Sequence, residues 1–182
     1  MERITDTHIY FWGGPLSQWQ PCEFTLPVNG KHHKFNCSEQ YMMAMKAFHF
    51  GDFHTLEKIL KSLYPDKQKA LGRQVAGFIE EEWDKVCISY VTIGNIGKFS
   101  QNPKLKKILI DTGNKIIVEA SPYDKIWGIG LHYTDDAVLD ENKWKGKNYL
   151  GISIMKARDH IVAVDTSKAE NVSRMSDWEK DR

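Results

Sequence analysis

The stretch FTLPVNGKHHKFNCSEQYMMAMKAFHFG, residues 24–51, decides the fold class. Two short runs suited to strands, 24–28 and 31–35, flank Asn29-Gly30. Asn-Gly is a strong hairpin signal, because both central residues of a tight two-residue turn must accept positive φ. Three residues later the period changes. Ser38 is expected to cap a helix over 39–50, and Gly51 to end it. A hairpin running straight into a helix points to an α+β chain.

Reading outward, IYFW (9–12) suits a further strand. A helix is expected over 55–63, stopping before Pro65. Asp66 is expected to cap the next, KQKALGRQVAG. The longest helix should start near Ile79, with Trp83, Val86, Cys87, Tyr90, Val91 and Gly94 as its buried stripe. Asn102-Pro103 reads as N-cap and first helical residue of PKLKKILIDT, closed by Gly113. KIIVEA (115–120) is a short apolar strand, followed by a loop rich in glycine and aromatics, SPYDKIWGIG (121–130). A final helix is expected over about 148–163. The sum is a mainly helical single domain with a small, mostly antiparallel sheet, spanning residues 1–164. A polar C-terminal tail is expected over 165–182.

Composition narrows the class of function. The 182 residues hold 41% apolar and 27% charged side chains, as a globular domain does. No apolar run reaches the roughly 18 residues that span a bilayer, and no secretory leader is visible at the start, so the expected setting is cytoplasmic with no membrane partner. The net charge of +1 does not advertise a nucleic-acid-coating surface. Cys22, Cys37 and Cys87 are too far apart for a CxxC pair, so neither a disulfide framework nor a metal site is indicated.

Three segments carry chemistry. In the first, Glu39, Met42, Met43 and Lys46 share one helix face, which aims a carboxylate and an amine the same way from positions two turns apart. Spacing alone is equally that of a plain surface helix. In the second, Glu119 ends a strand, Asp124 lies in the following loop, and Trp127 is flanked by Gly128, where backbone can approach a ligand. Asp124 as a turn former and Trp127 as a core anchor fit the same residues. In the third, Gly146-Lys147-Asn148 opens a helix, whose N-terminus can hold a phosphate or simply be capped. Arg73, in LGRQV, suits bidentate phosphate binding. There is no Walker loop and no GxGxxG motif, and no cofactor is called for.

Taken in order, FWGGPLSQW, SEQYMMAMKA, LGRQV, the Trp83 of EEEWDKV, KFSQNPKLKKILIDTG, EASPYDKIWGIG and GKNYLGISIMKAR resemble the NADAR (YbiA-like) family of N-glycosidases from about residue 10 to 160. Two positions, Gln18 and Met43, depart from the family's usual pattern. The resemblance implies a YbiA-like fold and hydrolysis of a bond between ribosyl C1 and nitrogen. The implied substrate is a small phosphoribosyl molecule, such as a ribosylaminopyrimidine 5′-phosphate of riboflavin synthesis, with release of ribose 5-phosphate. A second branch of the family implies ADP-ribosyl-guanine, with modified nucleic acid as partner; a third possibility is a non-catalytic module that binds ADP-ribose or NAD. Glu39 and Asp124 are then the candidate catalytic carboxylates, and Lys46 the amine of a Schiff-base route. Trp83 and Trp127 are candidates for stacking on the heterocycle, and Arg73, Lys98 and Asn148 for the phosphate and sugar hydroxyls.

Overall fold

A computed structural model describes residues 2–180, with side chains of the last helix placed through Glu170. Strands β1 (Glu2–Ile4), β2 (His8–Phe11) and β5 (Ile116–Glu119) form one sheet in the order β1-β2-β5. β1 runs antiparallel to β2, and β5 parallel to it. β3 (Phe24–Val28) and β4 (Lys31–Phe35) form a separate antiparallel hairpin, turned at Asn29 and Gly30, both at positive φ. The helices are α1 (Ser38–His49), α2 (Phe53–Lys61), α3 (Pro65–Gly72), α4 (Glu80–Ser100), α5 (Pro103–Asp111) and α6 (Tyr149–Lys180).

The β2–β5 pair is buried on both faces, while β1 is largely exposed, and strand alternation sorts the side chains of the pair. Ile9, Phe11 and Ile117 join the main core with α1, α4 and α6. Tyr10, Val118 and Ala120 join a smaller cluster with Ile129, Leu131 and Val138. The parallel pair β2 and β5 ends side by side, at Phe11 and Glu119. The loops that leave this edge build the candidate site.

Several local expectations shift. Ser38 lies inside α1 rather than capping it, and its hydroxyl is buried with no partner among the described residues. Pro65 opens α3 as its first residue, because a ring without an N–H suits that position. α3 ends at Gly72, short of the expected 77. Asn102 precedes α5 but spends its amide on the Glu23 and Lys98 carbonyls, at 2.9 and 2.8 Å. The longest helix is α6 rather than α4: it runs on past 163 to Lys180. Its residues Val162–Glu170 are all exposed, so the helix leaves the core after Ile161. Of the expected tail, the side chains past Glu170 and residues 181–182 lie outside the described residues. No helix among the described residues is long and apolar enough to cross a membrane.

Candidate active site

Glu39 is 5% exposed in the first turn of α1. Its backbone N–H donates to the Gln18 carbonyl at 3.0 Å, which ties α1 to the loop that follows β2. Burial pushes its carboxyl up to about 7, against the pull of Lys69. Asp124 pushes the same way as burial, and the Trp19 indole and Arg73 oppose it. Glu119, at the end of β5, is pushed up to about 8 by burial and by the charges of Asp124 and Glu39, against Lys69. The charge of Glu39 therefore reaches Glu119, and that of Asp124 reaches both. At neutral pH such a pair retains a proton.

Lys46 is half-buried two turns along α1 from Glu39. Its Nζ sits 3.9 Å over the Phe78 ring. Burial holds its pKa below the usual lysine value; Arg73 adds to this and Glu39 opposes it. The Phe78 ring packs edge-on against Phe50, at 5.3 Å, and Phe50 against His49, at 4.9 Å. This aromatic wall removes water from the amine.

Asp124 has two jobs. Its Oδ1 accepts from the Ile126 and Trp127 N–H groups, at 2.9 and 2.8 Å, which fixes the loop. Its charge is still felt by Glu39 and Glu119. Trp127 is partly buried against the main core, edge-on to Tyr149 at 6.0 Å.

Glu39, Lys46, Asp124 and Arg73 thus converge, and four other candidates do not serve as expected. Lys98 is fully buried, and its Nζ donates to the Ser17 carbonyl at 2.8 Å. It braces the β2–β3 loop from beneath and has no exposed charge to offer a phosphate. Asn148 is also spent: its Oδ1 accepts from Glu119 N at 3.0 Å and its Nδ2 donates to the Ile117 carbonyl at 3.0 Å. Gly128 makes its close approach to the protein rather than to a ligand, since a Cβ there would lie 2.9 Å from the Glu119 carbonyl. Trp83 is 8% exposed and stacks on Tyr90 at 5.9 Å, so it is a core residue.

Asn148 deserves a test because it sets Glu119. It adopts φ 53, a conformation asparagine tolerates, and its amide completes the edge of β5 against the start of α6. Asn148→Ala leaves a buried N–H and a buried carbonyl unpaired, and should cost about 2–4 kcal/mol in urea unfolding.

Three residues here carried no assigned role in the sequence. Glu119 stood out as the carboxylate that ends its strand, Lys69 lies four residues before Arg73, and Trp19 belongs to the FWGGPLSQW segment. The two departures from the family pattern prove to be packing residues. Gln18 is buried and accepts from the Asn95 amide at 3.2 Å, and Met43 fills the space left by Gly72. Among the described residues no group of three or more His, Cys, Asp or Glu is placed to hold a metal ion.

Comparison with known proteins gives the following. The profile of the NADAR domain matches residues 10–162. N-glycosidase R617 of Acanthamoeba polyphaga mimivirus is 47% identical over 164 residues, covering 85% of this chain and 96% of that protein. Riboflavin biosynthesis protein PYRR of Arabidopsis thaliana is 30% identical over 125 residues, covering 66% of this chain and 19% of that protein. The solution structure of Escherichia coli YbiA shares the fold with a TM-score of 0.70 and 25% identity over 90% of each chain.

Proposed function

This chain belongs to the NADAR domain family, and on that premise we propose that it hydrolyses the C1–N bond of a phosphorylated ribosylamine, releasing ribose 5-phosphate. One relative is named an N-glycosidase and another a riboflavin biosynthesis protein, which supports this reaction and substrate class. The observation that carries the reading is the coupled Glu39–Glu119 pair, held above the ordinary carboxylate range beside the half-buried amine of Lys46.

The chemistry follows from that arrangement. A ribosylamine opens when its ring oxygen takes a proton, leaving an imine at C1. A carboxyl that keeps its proton at neutral pH can give it. The Lys46 amine then adds to C1. The substrate nitrogen takes a proton and departs as the free aminopyrimidine, and a lysine imine remains. Water adds to that imine, and its collapse frees Lys46 and the aldehyde of ribose 5-phosphate. Desolvation and a neighbouring cation are what make a lysine nucleophilic near neutral pH, and Lys46 has both in Phe78 and Arg73. The carboxyl pair passes the protons between these steps.

The test is release of ribose 5-phosphate from the ribosylaminopyrimidine 5′-phosphate, repeated with borohydride present. Turnover, and a borohydride-trapped adduct of the pentose phosphate on Lys46, are expected. Turnover with no adduct would replace the lysine route with direct attack by water on C1. An intact substrate, with cleavage of ADP-ribosyl-guanine instead, would overturn the substrate class. If both stay intact while ADP-ribose binds, the protein is a binding module.

A further inference from the structure

We propose that Lys69 of α3 and Arg73, the residue that follows its last turn, form the seat of the substrate's 5′-phosphoryl group. The inference rests on the reading of the site given above and names how that site selects its substrate.

The placement comes from packing. A Cβ at Gly72 would overlap the Met43 side chain at its sulfur, so glycine is what lets the end of α3 close on α1. Met43 lies on the α1 face that also carries Glu39 and Lys46. The close approach therefore sets Lys69 and Arg73, which flank Gly72, over that face. α1 and α3 pack along each other, as this requires.

The charges are unspent. Among the described residues neither Lys69 nor Arg73 makes an ion pair, although exposed pairs occur elsewhere on the surface. Lys69 is half-buried and Arg73 exposed. A guanidinium and an ammonium one helical turn apart suit the oxygens of one phosphoryl group. The field of Lys69 reaches both Glu39 and Glu119, and that of Arg73 reaches Glu39 and Lys46. The seat also replaces the one expected at Lys98 and Asn148, whose side chains are committed elsewhere.

The coupling has a definite sign. Glu39 faces Lys69 and Arg73 on α3, Lys46 on its own helix, Asp124 in the 120–128 loop, Glu119 on β5 and the Trp19 indole. The two α3 cations favour the ionised carboxylate. A phosphoryl group bound between them cancels that pull and leaves the repulsion of Asp124 and the burial. The pair then keeps its proton to higher pH while substrate is present. The 5′-phosphate itself readies the acid, and a ribosylamine without it meets a site less able to protonate it.

The experiment compares the ribosylamine with and without its 5′-phosphate, on the wild type and on Lys69→Met with Arg73→Met. For the phosphorylated substrate the double variant should lose about 100-fold or more in kcat/KM, the worth of two charge-assisted contacts. For the dephosphorylated substrate the loss should be at least tenfold smaller, because only the phosphorylated substrate loses two direct contacts. The alkaline limb of kcat against pH should lie higher for the phosphorylated substrate in the wild type, and the two limbs should coincide in the variant. An equal loss on both substrates, or limbs that coincide in the wild type, would overturn the proposal.

Calorimetric titration of the wild type with ribose 5-phosphate, ribose and ADP-ribose gives a readout free of turnover. Ribose 5-phosphate should bind at least tenfold tighter than ribose, and the double variant should lose that margin. ADP-ribose binding tighter than ribose 5-phosphate would place a diphosphate-linked group in the same seat. Equal binding of ribose and ribose 5-phosphate would remove the seat altogether, whether or not the protein is a hydrolase. Arg73→Lys, which keeps the charge, should recover part of the loss; no recovery by any cation, with the fold intact by circular dichroism, would count against a phosphate role.

Discussion

Glu39→Gln and Glu119→Gln should each lower ribose 5-phosphate release by about 1,000-fold, the range of a lost general acid–base group, and the double variant should be little worse than either. The reason is that the two carboxyls act as one unit. Each is raised by burial, and the charge of one also raises the other: Glu39 acts directly on Glu119. Replacing Glu39 with an amide removes the repulsion felt by Glu119. The survivor then ionises more readily, and the proton needed at the ring oxygen or the leaving nitrogen is no longer held at neutral pH. Residues that act as a unit are strongly non-additive in this way. Stability gives the control, since glutamine fills the same space without a charge to desolvate. Unfolding in urea above pH 8 should show each variant at least as stable as the parent. Additive losses in the double variant would mean two independent roles, and unimpaired turnover in Glu119→Gln would remove that residue from the chemistry.

The second large effect is on stability against pH, and its direction runs opposite to ordinary acid denaturation. Glu39 and Glu119 stand at about 7 and about 8 in the fold, against 4.5 as the unperturbed value. Between these limits the folded chain binds more protons than the unfolded one. The contribution of these groups is fully present below pH 4.5 and is lost as pH rises through 7 and 8. The ionised pair should cost the fold on the order of 3 kcal/mol or more by the top of that window. Lys98 acts in the reverse sense. Burial lowers it to about 8 from 10.5, so from pH 8 upward the unfolded chain binds the extra proton and stability recovers. Urea unfolding from pH 5 to 10 should therefore show a minimum near pH 8. The Glu39→Gln, Glu119→Gln double variant should flatten the falling side, and Lys98→Met the rising side. A profile that climbs steadily from pH 5 to 8 would show that the carboxyls are not held above their usual range.

The sequence by itself determined what local physics determines. Asn29-Gly30 sets a hairpin because few residue pairs accept two positive φ angles, and the turn stands where expected. Gly51 and Gly113 close their helices at positive φ for the same reason. The short apolar run at 115–120 and the helical stripe from Trp83 to Gly94 gave their elements within a residue or two, since each depends only on neighbours along the chain. The α+β class followed from those elements, and the spacing that puts Glu39 and Lys46 on one face was visible as a property of any helix.

Only the tertiary structure decided which polar residues are spent and which are free. Asn148 and Lys98 look as available as Arg73 in the sequence, yet one completes the edge of β5 and the other braces a buried loop. The glycines at 72, 128 and 151 mark places where the chain approaches itself, at Met43, Glu119 and Ile117, contacts that no local pattern encodes. The coupling of Glu39 with Glu119 arises because the fold brings two carboxyls 80 residues apart in sequence within reach of one another's charge. Burial and the fields of distant charges set a carboxyl's affinity for its proton, and both are properties of the packed molecule rather than of the chain.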